Sequence, residues 1–146
     1  MNRLRRRNER GAISVEFVVL LPVLVILIGV VVVGARVWWS RATVQQLAAS
    51  AARQASISRS AGDAQSSARD LVRNDALRTS LKCSGGGPAL SLDTSGFAIP
   101  VGEPATVNAS VTCVVALSDV SLPFVPGSMT VSAEATSTLD RYRERG

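Results

Sequence analysis

The chain has 146 residues, a formal net charge of +5 and no histidine, which excludes a serine triad, a cysteine-histidine pair and the common zinc sites together. An N-terminal basic and apolar block takes up about 35 residues, so the remainder forms at most one small domain. No enzymatic activity, cofactor or metal is expected.

Residues 1–11 form a basic leader. Arg3, Arg5, Arg6, Arg7 and Arg10 stand against Glu9 alone, a local net of +4 that leaves the rest of the chain at +1. Directly before a hydrophobic span such a cluster acts as a topology signal, and no direct contact with nucleic acid is expected. From Phe17 to Ala35, 19 consecutive positions carry no polar or charged side chain, against the ~20 apolar residues that a helix needs to cross a bilayer core. The transmembrane helix is placed at residues 12–36. The positive-inside bias puts the leader in the cytoplasm and the chain beyond about residue 40 outside, as a single-pass protein of the cell membrane. Trp38 and Trp39 suit the outer interface. The apolar run exceeds the ~7–15 residues of a cleaved secretory signal, and Val33 and Ala35 make a poor cleavage site.

Residues 37–81 read as an extracytoplasmic helical segment. Val37, Val44, Leu47, Ala48, Ala51, Ala52 and Ala55 recur at spacings of three, four and seven, one apolar stripe on a helix that continues from the membrane to about residue 57. Ser58 to Gly62 is a polar break. Asp63 is expected to cap a second helix reaching about Leu81, with Ala64, Ala68, Leu71, Val72 and Leu81 on one side. Ser84-Gly85-Gly86-Gly87-Pro88 then ends helical structure.

Residues 82–139 read as a small β-rich domain. Val107, Ala109, Val111, Cys113, Val115 and Leu117 alternate with polar residues, as do Met129, Val131, Ala133 and Ala135, the pattern of strands with one face buried. Leu90 and Leu92, and then Phe97, Ile99 and Val101, suggest one or two shorter strands. Loops run from Pro100 to Pro104 and from Pro123 to Gly127. Three or four such strands make an antiparallel meander whose apolar face packs on the amphipathic half of the long helix, an α+β fold. Cys83 and Cys113 both lie in the part placed outside and are expected to form a disulfide; the alternative is two unpaired thiols. Residues 140–146 form a polar tail.

At the inner edge of the span the chain reads Gly11-Ala12-Ile13-Ser14-Val15-Glu16-Phe17. A carboxylate there costs a few kcal/mol if unpaired, so Glu16 is a functional candidate. The alternative is that it snorkels to the interface or pairs with Arg10. A basic leader, a glycine, four residues, a glutamate and an aromatic opening an apolar helix resemble the processing motif of type IVb prepilins. More narrowly, the chain resembles the TadE-like pseudopilins and minor pilins of the tight-adherence (Flp) pilus system. Leu20-Leu21-Pro22-Val23-Leu24 is similar to the start of that family's span, and the segment from Ala48 to Ala55 to its alanine-arginine stretch. The resemblance covers roughly residues 10–55.

That resemblance implies cleavage after Gly11 by a membrane-embedded prepilin peptidase, with Ala12 as the new N-terminus and Glu16 as its fifth residue. Small Gly11 admits close approach to the backbone. The resemblance further implies that Glu16 pairs with the Ala12 ammonium of a neighbouring subunit and so sets register, with Pro22 bending the span. Implied partners are the lipid bilayer, the peptidase and other pilins or pseudopilins. Where many members carry an acidic residue near the outer end of the span, this chain reads Val32-Val33-Gly34-Ala35-Arg36, so that partner contact is not carried over. Two rival readings are an unprocessed single-pass anchor presenting a small binding or adhesion domain, and a pseudopilin of a DNA-uptake apparatus.

Overall fold

A computed structural model describes residues 9–79, 81–118 and 126–142, with side chains described from Phe17 onward. The expected tail beyond residue 142, most of the expected 123–127 loop and most of the leader lie outside these residues.

The first helix, α1, runs from Glu9 to Ser56, 48 residues without a break, or about 72 Å at 1.5 Å per residue. Its two halves differ in what surrounds them. Beyond residue 39 one stripe is buried: Ser40, Thr43, Val44, Leu47, Ala48, Ala51, Ala52 and Ala55, steps of three and one that keep returning to the same face. The two polar members are satisfied within the helix. Ser40 donates its hydroxyl to the Arg36 carbonyl at 2.9 Å and Thr43 to that of Trp39 at 3.0 Å, which is how a buried hydroxyl avoids an unpaired donor.

The second helix, α2, runs from Ala61 to Arg78. Its N-cap is Ser60, not the expected Asp63: the extended Ser60 backbone presents a hydroxyl that accepts the Asp63 N–H at 3.1 Å, and Asp63 sits in the first turn, where its charge suits the helix dipole. Serine is an equally good cap, and Ser60 starts the helix about one turn before Asp63 would. The expected far end, Leu81, lies beyond the helix, because Thr79 closes it by donating its N–H to Asp75 at 2.9 Å. The buried face of α2 is Ala64, Ala68, Val72 and Ala76, every fourth residue. Leu71 and Leu81 are only partly buried against the same core. Small side chains on both helices let their backbones lie close.

Three strands follow: β1 (Ala89–Asp93), β2 (Thr106–Ala116) and β3 (Ser128–Thr138), an antiparallel sheet in the order β1-β2-β3. In β2, Val107, Ala109, Val111, Cys113 and Val115 are buried while the intervening residues are not. The register places Val111 opposite Leu90 of β1 and opposite Ala133 of β3, so the three strands share one apolar face, on which β2 and β3 lie against α1 and β1 against α2. The sheet is tied to the helix by Gln45, whose amide donates to the Glu134 carbonyl at 3.3 Å, and by a hydroxyl contact of 3.0 Å between Ser56 and Ser137.

Two strand expectations change. Phe97, Ile99 and Val101 do not form a strand; Ser95–Ala98 is a short 3-10 helix. Asp93 accepts the Ser95 N–H at 2.9 Å and Thr94 accepts that of Phe97 at 3.0 Å, turn chemistry that precedes Pro100, which has no N–H for a ladder. That hydrogen bond to the Ser95 backbone, with a second to its side chain, holds the fully exposed Asp93 carboxyl below its ordinary value. Leu117 lies just past β2 but is buried, its N–H donated to the Gly127 carbonyl at 2.8 Å.

Cys83 and Cys113 are joined in a disulfide, with Cα atoms 5.3 Å apart and 30 residues of separation. Closing such a loop stabilises the fold by about 3.5 kcal/mol in the chain-entropy model, a large fraction of what so small a core supplies.

Candidate functional site

The apolar half of α1 is built from residues that the fold leaves bare. Among the described residues, the apolar stretch is not buried inside the protein: from Phe17 to Val32 the large apolar side chains are all exposed, and only at Val33 and Val37 do they begin to pack on the core. Phe17–Ala35 extends about 28 Å as a helix, close to the ~30 Å of a bilayer core. In water such a rod would leave a far larger apolar patch than soluble proteins carry. The helix is long and apolar enough to cross a membrane once. Trp38 and Trp39, 71% and 63% exposed, follow it.

Gly11, Ala12 and Glu16 all lie in the first two turns of α1. Ala12 and Glu16 are one helical turn apart and therefore share a face; their side chains lie outside the described ones. The helix continues through Pro22, which removes one backbone donor and leaves the Val18 carbonyl without its usual helical partner. Phe17 is exposed, at the start of the apolar sleeve.

Above the bare rod, the underside of the sheet domain and α1 enclose a cleft of about 650 Å³ that includes Arg36, Trp39 and Lys82. The sequence reading did not single out Arg36 or Lys82. The available signals were the position of Arg36, immediately after the last apolar residue, and that of Lys82, beside Cys83. A smaller cavity of about 210 Å³ lies at the other end of the sheet, between Gly96 and Leu139. Among the described residues, no group of three or more cysteine, aspartate or glutamate side chains is placed to hold a metal.

Residues 11–53 match the family model of TadE-like protein. The match begins at Gly11 and ends three residues before α1 does, so what is shared is the helix: its bare apolar half and most of its buried stripe. No curated protein and no solved structure matches the chain.

Proposed function

From its TadE-like segment, residues 11–53, we propose that this membrane-anchored, pilus-related chain is a pseudopilin or minor pilin acting in the assembly of a tight-adherence pilus or a related secretion machine. The observation that carries the reading is the coincidence of the family match with a single helix whose first half is apolar and bare and whose second half anchors a folded domain.

In this reading the basic leader stays in the cytoplasm and the domain lies outside. A prepilin peptidase cleaves after Gly11. Loss of the leader removes a net charge of +4 that would otherwise hold the helix against outward movement. The new ammonium at Ala12 and the carboxylate of Glu16 are each costly in lipid and tolerable as a pair. Within one helix the two stand one turn apart, so the Glu16 of one subunit reaches the Ala12 of a neighbour shifted along the helix axis. Such a pair fixes the axial stagger between subunits. Surface pili in a strain carrying Glu16→Ala test this: loss of assembly is the expected result, and normal pili would remove Glu16 from the mechanism.

One observation favours a second reading. The family match takes in no part of the sheet, as it would if a conserved type of anchor carried an unrelated binding or adhesion module. An intact mass that retains residues 1–11 would support that alternative.

A further inference from the structure

The sheet has two edges, and the register fixes which backbone groups each presents. Leu117 donates its N–H to the Gly127 carbonyl and Leu139 to that of Ala105, so the hydrogen-bonded pairs of β2 and β3 fall on odd-numbered residues. Thr130, Ser132, Glu134, Thr136 and Thr138 therefore direct their N–H and C=O groups away from the sheet. Ser84 donates to the Val114 carbonyl, so the even residues of β2 serve its other side, where Thr112, Ser110 and Asn108 stand opposite Ala89, Ser91 and Asp93. This leaves the N–H and C=O groups of Leu90 and Leu92 at the outer edge of β1. Among the described residues, the one bond to these outward groups runs from the Gln45 amide to the Glu134 carbonyl at 3.3 Å, and that oxygen has a second lone pair.

Direction decides what can fill such an edge. β3 climbs with α1, since Gln45 meets Glu134 and Ser56 meets Ser137, and β1 runs parallel to β3 because each is antiparallel to β2. Copies whose α1 helices cross one membrane in the same sense hold both edge strands in that sense. Two β3 edges related by rotation about the membrane normal would set outward residue against outward residue at one height, whereas a parallel ladder needs an outward residue level with an inward one. β3 beside the β1 of a neighbour meets that need. Ser91 and Glu134 are both level with Ser110, so in a neighbour at the same height Ser91 faces Glu134, with Leu90 and Leu92 on either side. Ala42 and Ala49, on the Gln45 face of α1, are small and exposed, which leaves room for the α2 that accompanies β1.

We propose that β3 takes β1 of a second copy of this chain as a parallel neighbour. Leu90 accepts from Glu134 and donates to Ser132, and Leu92 accepts from Thr136 and donates to Glu134. The contact is head-to-tail, so it propagates from copy to copy and does not close as a two-fold dimer. The inference rests on the reading of α1 as a membrane span and is independent of peptidase processing.

The test uses the full chain in its native membranes. Ser132 and Ala89 flank Thr112 and stand roughly 10 Å apart within one copy, beyond the ~7 Å reach of a disulfide, yet they are direct neighbours across the proposed seam. The double variant Ser132→Cys, Ala89→Cys is expected to give a non-reducing ladder of dimers and higher multimers whose new bond maps to those two positions. Each single variant is expected to stay monomeric. Adding Glu134→Pro, whose lost N–H serves no bond inside the sheet, is expected to abolish the ladder, and adding Thr130→Pro, outside the seam, to leave it intact. Absence of a ladder, a dimer from Ser132→Cys alone, or an equal response to the two proline substitutions would overturn the proposal. Alkaline carbonate extraction of the same membranes separates the premise from the inference. Release of the chain would overturn both, whereas retention without a ladder would overturn the strand contact only.

Discussion

Cys83 is bonded to Cys113, and through that bond the segment leaving α2 is fastened to the buried face of β2. Replacing both by alanine is expected to lower the unfolding free energy of the detergent-extracted chain by about 3.5 kcal/mol. The check is a denaturant titration of the variant beside the wild type with and without reductant. An unchanged midpoint would mean that the helices and sheet hold together without the bridge.

Gly96 and Gly62 are expected to respond to alanine with opposite signs. A Cβ at Gly96 would collide with the Thr106 carbonyl oxygen and crowd the side chain of Leu139, and relieving a backbone clash costs about 1–3 kcal/mol. At Gly62, inside α2, the added methyl meets only the Ser60 hydroxyl oxygen at 3.9 Å. Gly62 stands in the first turn, so the gain in helix propensity is at most the roughly 0.5–1 kcal/mol of a helix interior. Thermal unfolding of the two variants measures both, and a stabilised Gly96→Ala would contradict the close approach.

The Asp93 carboxyl, held down by its hydrogen bonds to Ser95, contributes stability in a defined direction. Because its folded value is depressed, the contribution is complete above the ordinary value of 3.8 and is lost as pH falls through the lower folded one. In an NMR titration, the Ser95 amide is expected to shift with a midpoint below 3.8. A midpoint at or above that value would show that the turn does not favour the charged form.

Trp38 and Trp39 are expected to report the depth of the helix. Both are exposed just past the apolar run, and ring placement at the interface predicts quenching by lipids brominated near the headgroup in preference to those brominated at the chain end. The reverse order would place the span elsewhere along α1.

Much of the fold was legible from sequence because its long elements repeat one period. The stripe from Val44 to Ala55 and the alternation from Val107 to Val115 each pair a regular pattern with a single buried face. Phe97, Ile99 and Val101 show how the same signal misleads: three apolar residues at alternate positions look like a strand, while Asp93, Gly96 and Pro100 impose a turn and a 3-10 helix. Ser60 takes the cap expected of Asp63 for a related reason, since both residue types cap well and only the backbone decides. Arg36 and Lys82 were not legible as neighbours. They stand 46 positions apart, and only the docking of the sheet on α1 brings them to one cleft. Gly11, Ala12 and Glu16 derive their proposed roles from the order of residues at the start of α1.

N-terminal sequencing of the mature protein from its native membranes bears most directly on the proposed function. The account predicts a polypeptide beginning at Ala12, and a longer one in cells whose prepilin peptidase is inactive. A mature chain that begins at Met1 when the peptidase is active would contradict it, because no amine would then lie one helical turn from Glu16.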